Sequence, residues 1–115
     1  MAYIFDIQID QGTDTAVPME FFDHDRRPMN FEGCSARMQI RRTASSDIVI
    51  DELSSEGEAP RLTFDVNVIS ADFPRQITQA IKAGRYCYDL ELTTDGGNVY
   101  RLIEGAFILR KEVTR

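Results

Sequence analysis

Asp23-His24-Asp25 holds the only histidine of the 115-residue chain, and three such neighbours carry the oxygen and nitrogen donors that a cation accepts. Adjacent residues do not readily converge on one ion, however. Calcium loops place carboxylates at alternate positions around a glycine turn, which is absent here. The tract reads as a solvated loop and not as a metal site. Glu32-Gly33-Cys34-Ser35 sets a thiol beside a hydroxyl and invites a nucleophile reading with His24 as base. No Gly-x-Ser-x-Gly frame surrounds them, so Cys34 reads as a core residue at the start of a strand. No glycine-rich phosphate loop precedes a helix. The start of the one expected helix, Asp72-Phe73-Pro74, brings a carboxylate and lacks an amide proton, both unfavourable to an anion. The acidic residues, 19 in all, include no pair spaced as a general acid and base. These residues point to no catalytic group, no metal and no cofactor, and the expectation is a non-enzymatic module that acts through its surface.

Such a surface would be carried mostly by strands. Arg85 to Leu109 reads as a long β-hairpin around Asp95-Gly96-Gly97-Asn98, whose glycines can take the positive φ of a tight turn. In its first arm Tyr86, Tyr88, Leu90 and Leu92 alternate with Cys87, Asp89, Glu91 and Thr93. In its second, Ile103, Gly105, Phe107 and Leu109 share one face while Tyr100 and Leu102 take the other, as in a strand covered on both sides. Gly105 in mid-strand signals a bulge or a close backbone approach. Upstream, Tyr3 to Ile9 alternates with Tyr3, Phe5, Ile7 and Ile9 inward. Ala16 to Phe22 contains Pro18 and belongs at an edge. Asp23 to Gly33 is a loop, Cys34 to Arg41 a third strand, and Ile48 to Leu53 a fourth. A fifth strand is expected with Leu62, Phe64, Val66 and Val68 inward, and a helix over Asp72 to Lys82, capped by Asp72, with Ile77, Ala80 and Ile81 as its stripe. About seven strands and one short helix predict a single all-β domain over residues 1–115, an antiparallel β-sandwich with a small β-barrel as the alternative.

Composition sets the outer bounds. A chain of this size can bury roughly two thirds of its unfolded surface without disulfides or a metal. Apolar residues make up 43% and charged residues 28%, and no run approaches the roughly 20 apolar residues of a membrane helix. Net charge is −6, and the basic residues are dispersed apart from Arg26-Arg27 and Arg41-Arg42, which argues against nucleic acid as a partner. MAYIFDIQIDQG has no secretory pattern, so synthesis in a cytoplasm is expected. Cys34 and Cys87 read as free thiols.

Ala83-Gly84-Arg85-Tyr86, Tyr88-Asp89-Leu90-Glu91-Leu92, Arg101-Leu102-Ile103-Glu104-Gly105 and Glu112-Val113-Thr114-Arg115 together resemble a family of small bacteriophage and prophage virion structural proteins. Gly33-Cys34-Ser35-Ala36-Arg37-Met38-Gln39-Ile40-Arg41 occupies the matching place in the N-terminal half, so the likeness covers most of the chain. The pattern also resembles, more weakly, the N-terminal domain of phage baseplate upper proteins. Glu112 departs from it, following Arg110-Lys111 where a serine and a proline would stand, and the loop from Asp25 to Phe31 is bulkier. The resemblance implies a non-enzymatic virion protein, made in the host bacterial cytoplasm, that mediates contacts with other virion proteins in the tail, baseplate or neck. A capsid decoration or cement role is the alternative, and from another class a host-glycan-binding adhesin module. Symmetric multi-copy assembly is expected.

The candidate protein interface is Phe21, Phe22, Arg26, Arg27, Met29 and Phe31, because this loop carries more large apolar area than a solvated connection needs, with arginines to form a rim. The same side chains could instead close the end of the sandwich, and both readings stand open. The N-terminal strand and the tail Arg110 to Arg115 are further candidates.

Overall fold

Period-two alternation of apolar residues builds two open sheets. The structure, a computed structural model, describes residues 2–114; the expected tail ends in Arg115, which lies outside the described residues. In chain order its elements are β1 (Tyr3–Ile4), β2 (Ile7–Asp10), β3 (Thr15–Glu20), β4 (Ser35–Arg41), β5 (Val49–Ser54), β6 (Leu62–Asp65), β7 (Val68–Phe73), α1 (Arg75–Thr78), β8 (Gly84–Thr93) and β9 (Val99–Arg110). The larger sheet runs β1-β9-β8-β4-β5, with β2 also on β9, and the smaller runs β3-β7-β6. Their facing sides enclose one core, in which Met38, Ile40, Leu53, Leu62, Ile69, Phe73, Leu90 and Phe107 are almost wholly buried. Each sheet keeps free edges, so the fold is a β-sandwich and not a closed barrel.

The hairpin forms as its sequence dictates. Tyr86, Tyr88, Leu90 and Leu92 face the core, and Thr94 and Asn98 close the glycine turn through backbone bonds. The second arm departs from its expected pattern: a register shift opposite Leu90 and Glu91 reverses its phase, so Leu102 packs half-buried against the core and Tyr100, exposed near the open end, pairs with the core-facing Leu92, while Ala106 is buried on the far face. Pro18 lies on β3, at the edge of the smaller sheet, where its missing amide proton costs no central ladder bond.

Three expectations are corrected. The N-terminal strand is interrupted: β1 and β2 lie end to end, both parallel to β9, with Phe5 and Asp6 between them. The cause sits opposite, where a Cβ on Gly105 would overlap the Phe5 carbonyl, so the close approach expected at this glycine is met. Period-two alternation is the same in parallel and antiparallel strands, and the partner lies 100 positions away. The expected fifth strand is two strands, β6 and β7, reversing at Val66-Asn67; Val66 is exposed and takes a left-handed φ of 55° at the turn. The helix is a single turn, because Asp72 and Phe73 belong to β7 and Pro74 stands at the N-cap. Ala80 is exposed, and the buried residue of the turn is Thr78, whose hydroxyl donates to Thr13 O at 3.0 Å and accepts from Gly12 N at 3.1 Å. The segment crosses from the smaller sheet to the larger. The strand total rises from about seven to nine among the described residues.

Candidate interaction surface

At the free edge of the larger sheet, the interruption between β1 and β2 brings large apolar groups outward. Tyr3 is 61% exposed, Ile4 82%, Phe5 42% and Phe22, reaching across from the loop after β3, 43%. They line an open cleft of about 400 Å³ together with Glu20, Phe21, Asp23, Arg26 and Ile103. The edge is held rigidly. Phe5 N donates to Glu104 O at 2.9 Å, the Asp6 carboxylate accepts from Ala106 N at 2.9 Å, and the Tyr88 hydroxyl donates to Phe5 O. Burial, and secondarily the charge of Asp6, pushes the Tyr88 hydroxyl well above the usual tyrosine range. Tyr88 is therefore a fixed donor at neutral pH. The ridge is a preordered apolar surface and not a frayed terminus.

The loop that sequence nominated as an interface divides in two. Phe21 and Phe31 are 3% and 5% exposed, in edge-to-face contact at 5.8 Å, and Phe31 also meets Phe64 at 5.5 Å. Met29 is half-buried against the same cluster. For these three the sandwich-closing reading holds, because the gap between the sheets at this end is filled by their side chains. Phe22, Arg26 and Arg27 remain outside, with Phe22 and Arg26 on the cleft and Arg27 exposed beyond it. The turn between them is ordered by Asp23, whose Oδ1 accepts from the amides of Asp25 and Arg27 at 2.9 Å each.

No protein-family model matches the chain. No curated protein matches it either. Among solved structures it is similar to CopC from Methylosinus trichosporium OB3b, at 12% identity over 95% of this chain and 88% of that one, with a TM-score of 0.49. It is also similar to murine CRIg, at 14% identity over 93% and 92% of the two chains with a TM-score of 0.47. The second Ig domain of the mouse polymeric immunoglobulin receptor is 13% identical over the full length of both chains, with a TM-score of 0.42. At these values no functional residue carries over.

The remaining sequence-nominated residues do not assemble into a site. His24 sits exposed at the loop tip, while the Asp23 carboxylate beside it is engaged by backbone amides. Cys34 Sγ lies 3.8 Å from Glu32 O, and Cys87 Sγ 3.5 Å from Arg41 O. Since Ser35 pairs across from Thr93 and Arg41 from Cys87, the two free thiols stand at opposite ends of β4. The C-terminal tail does not reach outward at its start: Glu112 N donates to Gln11 Oε1 at 3.1 Å, and the Glu112 carboxylate covers Gly12. Sequence had placed Tyr3 and Phe5 inward with Ile7 and Ile9. Ile4 was the available signal, because an apolar residue on the polar phase of an edge strand has no core to enter.

Proposed function

We propose that the chain is a non-enzymatic bacteriophage virion component, present in symmetric copies at the tail, baseplate or neck, where it joins larger virion proteins. The observation that carries the contact role is the exposed ridge of Tyr3, Ile4, Phe5 and Phe22 on a free sheet edge. Natural sandwiches blunt such edges with charge, proline or a covering segment, as β3 does with Pro18, and large aromatic and aliphatic groups left at an edge are suited to anchoring a neighbour. The virion assignment is supported by the resemblance of the hairpin and of the β4 tract to small phage structural proteins. The non-enzymatic reading is supported by the separation of His24, Cys34 and Cys87 and by the engagement of Asp23 with its own loop. A mass-spectrometric inventory of purified particles of the encoding phage or prophage tests the proposal. Detection of the chain in mature virions is expected, and its absence from them would sink the idea. A copy number near that of the tail or neck proteins fits the proposed place, whereas one near that of the capsid protein indicates decoration.

A further inference from the structure

The two outer faces of the sandwich differ in charge. On the smaller sheet, register places Glu20, Val68 and Asp65 in one row, and Asp72 on the same face two residues along β7 from Ser70. All three carboxylates are exposed, and no lysine or arginine lies among the outward residues of these strands. Between them are Ala16, Pro18, Thr63 and Ser70, small groups that leave the face flat. Arg61, at the margin, directs its guanidinium to Asp51 instead.

On the larger sheet, the outer face forms a shallow concavity of about 660 Å³ lined by five arginines and three carboxylates. Arg37 and Arg101 meet Glu52, Glu91 and Asp89 in ion pairs. Arg41, Arg42 and Arg85 have no carboxylate partner among the described residues. Arg41 donates to the Ser46 carbonyl and the Gln39 side-chain carbonyl, Arg42 lies 5.1 Å over the Tyr86 ring, and Arg85 is exposed. In a chain of net charge −6, this end of one face is a local cationic patch, and the opposite face is uniformly anionic.

We infer that the occupant of the arginine-lined face is a second copy of this chain, which presents its Glu20-Asp65-Asp72 face to Arg41, Arg42 and Arg85. Charge complementarity selects this occupant, because each copy carries both halves of the contact on opposite sides of the sandwich. A contact between two different faces is heterologous, so it propagates from copy to copy and closes into a ring or extends as a stack. The inference rests on the multi-copy part of the proposed function and names the surfaces that would build it. The apolar ridge lies on a lateral edge; its Ile4 reaches the rim of the arginine-lined concavity and Glu20 borders its cleft, while Tyr3, Phe5 and Phe22 line that cleft and not the concavity.

Sedimentation velocity of the purified full chain tests this without reference to particles. Association that rises with protein concentration and weakens at least tenfold between about 0.05 and about 0.5 M NaCl is expected, since exposed charge pairs are screened over this range. The pair Arg42→Glu with Arg85→Glu, and separately Glu20→Lys with Asp65→Lys, should each be monomeric alone and should associate when mixed in equal amounts. Arg42 packs on Tyr86, so Arg85→Glu by itself is the control for a folding defect, and it should weaken association at least threefold at an unchanged melting temperature. A wild-type chain that stays monomeric, or a mixture of two folded variants that stays monomeric, overturns the inference. Either result leaves the virion inventory free to succeed or fail separately.

Discussion

Tyr88 stands on the first arm of the hairpin, yet its hydroxyl reaches the Phe5 carbonyl in the gap between β1 and β2. Gly105 leaves room for that carbonyl, and the Asp6 carboxylate takes up the Ala106 amide beside it. Three side-chain choices thus replace the ladder bonds that the interruption removes. Because burial raises the folded-state pKa of Tyr88 above its unfolded value, the associated stability is fully present below about pH 10 and is lost as pH rises from there toward the folded value. We predict that Tyr88→Phe lowers stability by about 1–2 kcal/mol at neutral pH, the cost of leaving a part-buried carbonyl without its donor. The variant should also lose less stability than wild type between about pH 7 and about pH 11. Urea unfolding at both values checks this, and equal alkaline losses in the two proteins would show that Tyr88 is not the titrating group. Val66 is a second residue with a local cost. Its φ of 55° is the left-handed region that a β-branched side chain rarely adopts, and the turn is held because Asn67 exchanges bonds with the Phe21 backbone.

At the scale of elements, the loop from Phe21 to Phe31 makes the difference between packing and presentation measurable. Phe31→Ser removes a ring enclosed by Phe21 and Phe64 and should cost about 3–4 kcal/mol, lowering the melting temperature by many degrees. Phe22→Ser, on a half-exposed ring, should change stability by less than about 1 kcal/mol and, under the virion role proposed above, instead reduce incorporation into particles. A Phe22→Ser protein that melts normally and is incorporated normally would remove that residue from the interface. Sequence made much of this architecture legible: the hairpin, the edge position of β3, and the inward set of β4 all follow from alternation and proline chemistry. It did not reveal which aromatic residues of the loop turn inward, because local pattern carries no record of the Phe64 ring that they meet. Nor did it reveal the Val66-Asn67 reversal, where neither glycine nor proline marks the turn and the stabilising partner, Phe21, is 46 positions from Asn67. The helix was overestimated for a related reason. Asp72 has the chemistry of a cap, but the burial of Phe73 in the core holds both residues in β7.

At the scale of the whole molecule, the two sheets are coupled by packing and, where β5 and β6 approach, by a polar clamp. Asp51 on β5 belongs to the larger sheet, and Arg61 immediately precedes β6 of the smaller one. The guanidinium meets both carboxylate oxygens at 2.8 Å, with side-chain exposures of 20% and 10%, and its Nε donates to Asp72 O at 3.0 Å. It also lies 5.8 Å from the centre of the Phe73 ring. Bidentate geometry and partial burial set this pair apart from the exposed pairs on the outer face, which contribute little in water. The pair spans the free edges where β5 and β6 approach, so it closes the sandwich at a side that no hydrogen-bond ladder closes. Removing one partner leaves a part-buried charge without its counterpart. We predict that Arg61→Ala and Asp51→Ala each cost about 2–4 kcal/mol, and that the double variant costs at least about 1 kcal/mol less than their sum. A urea-unfolding cycle measures that coupling. Additive losses would mean that Arg61 acts through the Phe73 ring and the Asp72 carbonyl alone, and that packing and the Arg61 N to Ser54 O hydrogen bond hold the two sheets together at this edge.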